Sequence, residues 1–159
     1  MISIIQRQTS PGYGIIKKRL GDDLMKIHKN QLQVKTHKPQ DFYEITDEVR
    51  KIVKESGIKE GILTVFSPHT TGALCINENA DSDVIEDMIY ALDKAFPDDP
   101  KFRHMEGNSH AHLKSINLGN TLSLIVSNNL IDIGIWQGIF FCEFDGPRDR
   151  TVTVHIMGE

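Results

Sequence analysis

Ile139-Phe140-Phe141-Cys142-Glu143-Phe144-Asp145-Gly146-Pro147-Arg148-Asp149-Arg150-Thr151-Val152-Thr153-Val154-His155-Ile156 reads as two strands about a turn. The first half, Ile139 to Phe144, is rich in apolar and aromatic residues and reads as a strand. The second half alternates, with Val152, Val154 and Ile156 on one face and Thr151, Thr153 and His155 on the other, so one face is buried and His155 faces solvent. The Asp-Gly-Pro-Arg segment between them predicts a turn joining an antiparallel pair. Just upstream, Thr121 to Val126 and Leu130 to Ile135 predict another pair about Asn128-Asn129, a dipeptide that tolerates positive φ.

The rest of the chain adds strands and a few helices. Asn30 to Thr36 alternates around Leu32 and Val34, and Gly61 to Phe66 is apolar and stopped by Pro68; both predict strands. Thr71 to Asn77 predicts a third, with Ala73, Cys75 and Asn77 opposite Leu74 and Ile76. Thr46-Asp47-Glu48 resembles a helix start, Val49, Ile52 and Val53 mark its buried face, and Gly57 stops it. Asp81, Ser82 and Asp83 offer several caps for a second helix, Asp83 with Glu86 at capping-box spacing, and Val84, Ile85, Met88, Ile89, Leu92 and Phe96 give it a broad buried stripe up to Pro97. A short third helix, His112 to Leu118, carries Leu113, Ile116 and Asn117 on one side and closes at Gly119. Strands clustered toward the end, without βαβ alternation, predict an α+β fold of antiparallel, β-sandwich-like sheets with two or three helices.

Residues 1–30 read as an amino-terminal extension with one short strand near Ile2 to Ile5, and residues 31–159 as one domain. Lys17, Lys18 and Arg19 in the extension read as a solvated patch. The 159 residues are 39% hydrophobic and 25% charged, with a net charge of −4. That balance suits a soluble globular protein and lacks the basic excess of a nucleic-acid binder. With no apolar run of about 20 residues and no signal-peptide layout, neither membrane nor secretion is expected, and the cytosol is the expected location. Cys75 and Cys142, both in apolar runs, read as buried thiols.

The chemistry concentrates in His104-Met105-Glu106-Gly107-Asn108-Ser109-His110-Ala111-His112. Three imidazoles and a carboxylate form a donor set suited to zinc, and the Gly107-Asn108-Ser109 turn can fold its ends together. In a strand His110 and His112 would project together; in a helix they diverge by about 200°, and His112 is then the better partner for His104. His69, in Ser67-Pro68-His69-Thr70-Thr71 at a strand end, is expected to join them. Glu106 is a candidate ligand or general acid/base, and Glu143, Asp145 and Arg148 gather at the last turn. A carboxylate pair with a guanidinium suits a metal-bound diphosphate; the same residues also make an ordinary turn with an ion pair. The Trp136 ring, near Gly138, suits a core or subunit contact as readily as a substrate platform.

Pro68-His69-Thr70-Thr71, Ile76-Asn77-Glu78-Asn79, His104-Met105-Glu106-Gly107-Asn108, Ala111-His112-Leu113-Lys114, and Trp136-Gln137-Gly138-Ile139 with Cys142-Glu143-Phe144-Asp145-Gly146-Pro147-Arg148 occur in that order. Together they resemble the YjbQ-like, secondary thiamine-phosphate synthase family from roughly Leu32 to the end. The resemblance implies a YjbQ-like α+β fold, a homotrimer and a metal-binding site near the histidines. It also implies a side activity joining a hydroxymethylpyrimidine diphosphate to a thiazole phosphate, giving thiamine phosphate and diphosphate; the residues themselves suit an enzyme acting on phosphorylated metabolites. On that reading His69, His104 and His112 hold a divalent metal, zinc from the imidazole set or else magnesium. Glu106, Glu143 and Arg148 carry the chemistry, and Thr70, Thr71, Asn77, Asn79, Asn108, Asp145 and Trp136 contact substrate. The rival expectations are a metal-dependent hydrolase and a non-catalytic trimeric protein that holds a metal or anion.

Overall fold

The computed structural model describes residues 16–20 and 23–159; the strand expected near Ile2 to Ile5 lies outside them. In order come β1 (Ile16–Leu20), β2 (Asp23–Lys35), β3 (Asp41–Glu44), α1 (Thr46–Ser56), β4 (Gly61–Phe66), β5 (Gly72–Glu78), α2 (Ser82–Ala95), α3 (Ser109–Leu118), β6 (Thr121–Ser127), β7 (Leu130–Ile131), β8 (Gln137–Glu143) and β9 (Asp149–Gly158). Two antiparallel sheets form, β1-β2-β9-β4-β6-β7 and β3-β8-β5. The fold is α+β, as its sequence pattern predicts.

Strand β8 is the middle of the smaller sheet and is buried on both faces, which is why its sequence does not alternate. Ile139 and Phe141 point into the main core with Leu32, Val34, Leu63, Val65, Val152, Val154 and Ile156 of the larger sheet and Val49, Ile52 and Val53 of α1. Phe140 and Cys142 point the other way, into a second core with Phe42, Ala73 and Ala111. The half-buried Ile85, Met88, Ile89 and Leu92 of α2 cover that second core. The order of layers is therefore larger sheet, main core, smaller sheet, second core, and then α2 and α3, while α1 packs against the main core.

Several expectations change. β8 and β9 are not a hairpin: β8 pairs with β3 and β5, while β9 pairs with β2 and β4. The Asp145 to Arg148 turn instead carries the chain from one sheet to the other, because each strand has an apolar face to bury against the other. Strand β2 runs across residue 30, pairing with β9 from Lys26↔Gly158 to Lys35↔Asp149. Lys26 to Asn30 is held there by backbone pairing, which its polar sequence does not advertise. Strand β3 has no sequence-based counterpart, and β7 is only two residues long.

The helices differ in detail. Thr46 does not cap α1: its hydroxyl accepts the Ile139 amide at 2.8 Å, tying the helix to β8. Of the candidate caps Asp81, Ser82 and Asp83, it is Asp81 that caps α2, accepting from the Asp83 amide at 2.9 Å. The stripe on α2 is only half-buried. Helix α3 buries Ala111, Lys114 and Ser115 and turns Leu113, Ile116 and Asn117 outward. Lys114 has an apolar stem that packs, while its Nζ donates to Asp93 of α2 and to Gln40. Asn128 and Asn129, at φ 54 and 62, make the β6 to β7 turn as expected.

Candidate functional site

Helix α3 starts at Ser109, so His110 and His112 diverge. His112 meets His104 edge to face, with ring centroids 5.3 Å apart, while Nδ1 of His110 lies 3.9 Å from an Asp98 carboxylate oxygen. A turn brings His104 back, closed by the Gly107 amide donating to the His104 carbonyl at 3.0 Å, with Gly107 at φ 73. Phe102, His104, Ser109, His112 and Leu113 line an open depression of about 470 Å³.

Two imidazole nitrogens each about 2.0–2.1 Å from one tetrahedral zinc put their ring centres roughly 5 Å apart. The spacing of His104 and His112 fits that requirement. The expected third ligand is not with them. His69 sits at the far side of the loop before β5, where its Nε2 accepts the Thr151 amide at 2.9 Å and its ring meets Phe141 edge-on at 6.2 Å. Among the described residues, no three His, Cys, Asp or Glu side chains gather to hold a metal ion. The three-imidazole set is thus not assembled within one chain, because β9 backbone has taken the His69 ring.

Burial lowers the His69 pKa below its ordinary 6.5, and the Arg150 charge adds to that, against the raising effect of the Thr151 contact. At pH values between the lowered folded value and 6.5 the unfolded chain therefore binds the extra proton and the folded chain does not. Stability is fully present above about pH 6.5 and declines as acid carries the solution toward the folded value. Thermal melts between pH 8 and 5 should show that decline in the parent chain and a shallower one in His69→Asn.

The second cluster joins the turn before α3 to the loop between β8 and β9. Asn108 donates its side-chain N–H to an Asp145 carboxylate oxygen at 3.0 Å and lies 3.5 Å from Glu106. Arg148 donates to the same Asp145 carboxylate at 2.7 Å and, through Nε, to the Asp145 carbonyl at 2.7 Å. Burial alone would raise the Asp145 pKa, but hydrogen bonds from Asn108 and Arg148 and the charges of Arg148 and Arg150 outweigh it and hold it low. Asp145 is consequently a carboxylate at neutral pH and positions its neighbours. Asn108 is buried, yet among the described residues its Oδ1 has no hydrogen-bond partner, an arrangement that is uncommon in a folded interior.

Beneath this cluster Glu143 is 0% exposed and Arg150 5%. Arg150 Nε donates to Glu143 at 2.7 Å, Thr36 donates its hydroxyl at 3.0 Å, and the Phe144 and Asp145 amides donate at 3.0 and 2.9 Å. Glu143, expected to transfer protons, is thus buried with both carboxylate oxygens already accepting hydrogen bonds. Thr71 belongs to the same network, accepting from Arg150 at 3.0 Å, while Thr70 is exposed.

Asn77, Asn79 and Trp136 lie elsewhere. Gly72 pairs with Glu143 at one end of β5 and Asn77 with Gly138 at the other, a separation of roughly 17 Å along the strand. Asn79 donates to Glu44 at 3.0 Å, and its amide donates to the Trp136 carbonyl. These residues do not share the cluster of Asn108, Asp145 and Arg148 within one chain. Arg150 and Thr36, which sequence reading passed over, do belong beneath it.

The family model for "UPF0047 protein YjbQ-like" matches residues 30–159. The chain is 47% identical to UPF0047 protein YugU of Bacillus subtilis over 80% of its own length and 97% of that protein's. A UPF0047 protein of Methanocaldococcus jannaschii is 43% identical, over 80% and 92%. Among solved structures, a YbjQ-like protein from Sulfolobus solfataricus superposes with a TM-score of 0.82 at 36% identity, covering 85% of this chain and 99% of that one. A yjbq/upf0047 family protein from Clostridium acetobutylicum gives 0.77 at 48% identity, over 79% and 98%. With its motifs, fold and relatives in agreement, the chain belongs to the YjbQ-like UPF0047 family.

Proposed function

We propose that the chain is a small metal-assisted enzyme acting on phosphorylated metabolites, with its site where the turn before α3 meets the loop between β8 and β9. The observation that carries this reading is the chain of contacts from Asn108 through Asp145 to Arg148. It holds a half-exposed guanidinium beside the turn that presents His104. Among the described residues Arg148 spends only part of its donor fork, on Asp145, and its other N–H groups can grip phosphate oxygens and stabilise charge that develops there. Exposed Glu106 is the residue placed to accept or return a proton. The unpaired Asn108 Oδ1 offers an acceptor to a substrate N–H or O–H.

A zinc ion held by His104 and His112 would supply Lewis acidity to a departing phosphate or diphosphate. The named form of the reaction is the union of hydroxymethylpyrimidine diphosphate with thiazole phosphate. No helix among the described residues is long and apolar enough to cross a membrane, and the reading places the protein in the cytosol without nucleic-acid partners. A homotrimer is part of it. Met157, Ile62 and Ile125 form an exposed cross-strand row on the outer face of the larger sheet, the kind of apolar patch that a second copy can cover.

The incomplete imidazole set favours one rival, a trimeric protein that holds a metal or anion without turnover. Metal analysis combined with a panel of phosphate esters and the pyrimidine and thiazole pair separates them. The enzyme reading expects bound zinc and a turnover that falls by at least about 100-fold in His104→Ala, with melting temperature unchanged because His104 is exposed. Bound metal with no turnover across the panel would establish the binding protein instead.

A further inference from the structure

The register of the smaller sheet sets Ala73 opposite Cys142 and Cys75 opposite Phe140. Cys75 and Cys142 are therefore diagonal neighbours on the face beneath α2 and α3, and their sulfurs lie 3.4 Å apart. Both are free thiols. We propose that this pair is a peroxide-sensitive modification site, in which Cys75 is the residue oxidised first and Cys142 the one that resolves it into a reversible disulfide.

The two thiols are not equivalent. Cys142 is fully buried and donates its S–H to Cys75; burial pushes its own pKa well up. That donated hydrogen bond lowers the Cys75 pKa, against the opposing effect of burial. The thiolate is the nucleophile in cysteine chemistry. Cys75 is also the less buried of the two, and the helix above it presents Ile85, Met88, Ile89 and Leu92, none fully buried. A small oxidant therefore approaches Cys75 past side chains that are themselves partly open to solvent.

The steps balance. The Cys75 thiolate attacks one oxygen of a hydroperoxide, the O–O bond breaks, and a sulfenic acid and hydroxide form. The Cys142 sulfur, losing its proton, then attacks the Cys75 sulfur; the S–O bond breaks, the hydroxyl leaves with that proton as water, and the disulfide forms. Two thiols are oxidised and one peroxide is reduced.

Reversibility follows from position. Diagonal neighbours in an antiparallel pair have Cα atoms about 7–8 Å apart, beyond the usual disulfide range of about 4.4–6.8 Å. Closing the bond drags β5 against β8, and a strained disulfide is readily reduced. The dithiol is the relaxed state of the sheet.

The test is exposure of the native protein to hydrogen peroxide, followed by alkylation of the remaining thiols and peptide mapping. The expected result is loss of two hydrogens within one chain, a Cys75 to Cys142 cross-linked peptide, and recovery of both thiols with a dithiol reductant. In Cys142→Ala, a dione reagent specific for sulfenic acid should label Cys75; in Cys75→Ser it should leave Cys142 unlabelled. The wild-type map decides the matter even if a variant folds poorly. Thiols that resist peroxide until the protein is denatured, bonds formed only between chains, or independent conversion of each sulfur to higher oxides would each overturn the proposal.

Discussion

Glu143→Ala should lower the free energy of unfolding by about 3–5 kcal/mol, since it leaves the buried Arg150 guanidinium without its partner. In a domain of this size that corresponds to a fall in melting temperature of roughly 10 °C or more. The cost is not the worth of the ion pair itself. It comes from stranding a charge, together with the Asp145 amide, whose acceptor disappears, while the Thr36 hydroxyl and the Phe144 amide keep the Arg148 and Thr71 carbonyls. A double variant that removes both charges, Glu143→Leu with Arg150→Met, should recover much of the loss, because an apolar pair of similar size avoids the desolvation of both ions. Urea melts of the single and double variants measure this directly. Were Glu143→Ala to fold with unchanged stability while losing only a measurable turnover, the carboxylate would be a chemical group after all and the network around it incidental.

That ion pair was legible in the sequence, though not by the motif that drew attention to it. Glu143 keeps step with Ile139 and Phe141, and Arg150 keeps step with Val152, Val154 and Ile156. A charged residue in phase with a buried apolar face announces a buried charge, and two of opposite sign on strands flanking one turn announce each other. Reading the turn by its Asp-Gly-Pro-Arg content instead gave Glu143 a chemical role and paired its two strands. The three helices and most of the strands came through because periodicity is local, while β1 and β3, short and without an alternating apolar pattern, did not. Which strand lies beside which did not, because β8 and β9 are each apolar enough to belong to either sheet, and only the closing of both cores decides. The site divides the same way. His104 and His112 are eight residues apart on a turn and a helix, so their meeting follows from local geometry. The position of His69 depends on a backbone amide of β9, which no spacing in the sequence encodes.

Phe141→Ala and Phe140→Ala, one residue apart on β8, should differ in cost, and the difference measures how the two cores are built. The Phe141 ring is fully buried in the main core, edge-on to His69. It also presses on Gly72 so closely that a Cβ there would lie 2.6 Å from it. Its surroundings are strands of two sheets that cannot collapse without breaking ladders, so its removal should leave most of its cavity and cost about 3–5 kcal/mol. Phe140 is 4% exposed and lies against Phe42 at 6.5 Å between centroids, but its roof is α2, whose apolar residues are all still partly open to solvent. A helix held that lightly can settle into the vacated space, and Phe140→Ala should cost at least about 1 kcal/mol less than its neighbour. Denaturant midpoints at unchanged slope are the measurement. Equal losses would mean that α2 is as rigidly seated as the sheets, and the half-buried roof over Cys75 would then offer a small molecule no easier entry than the main core does.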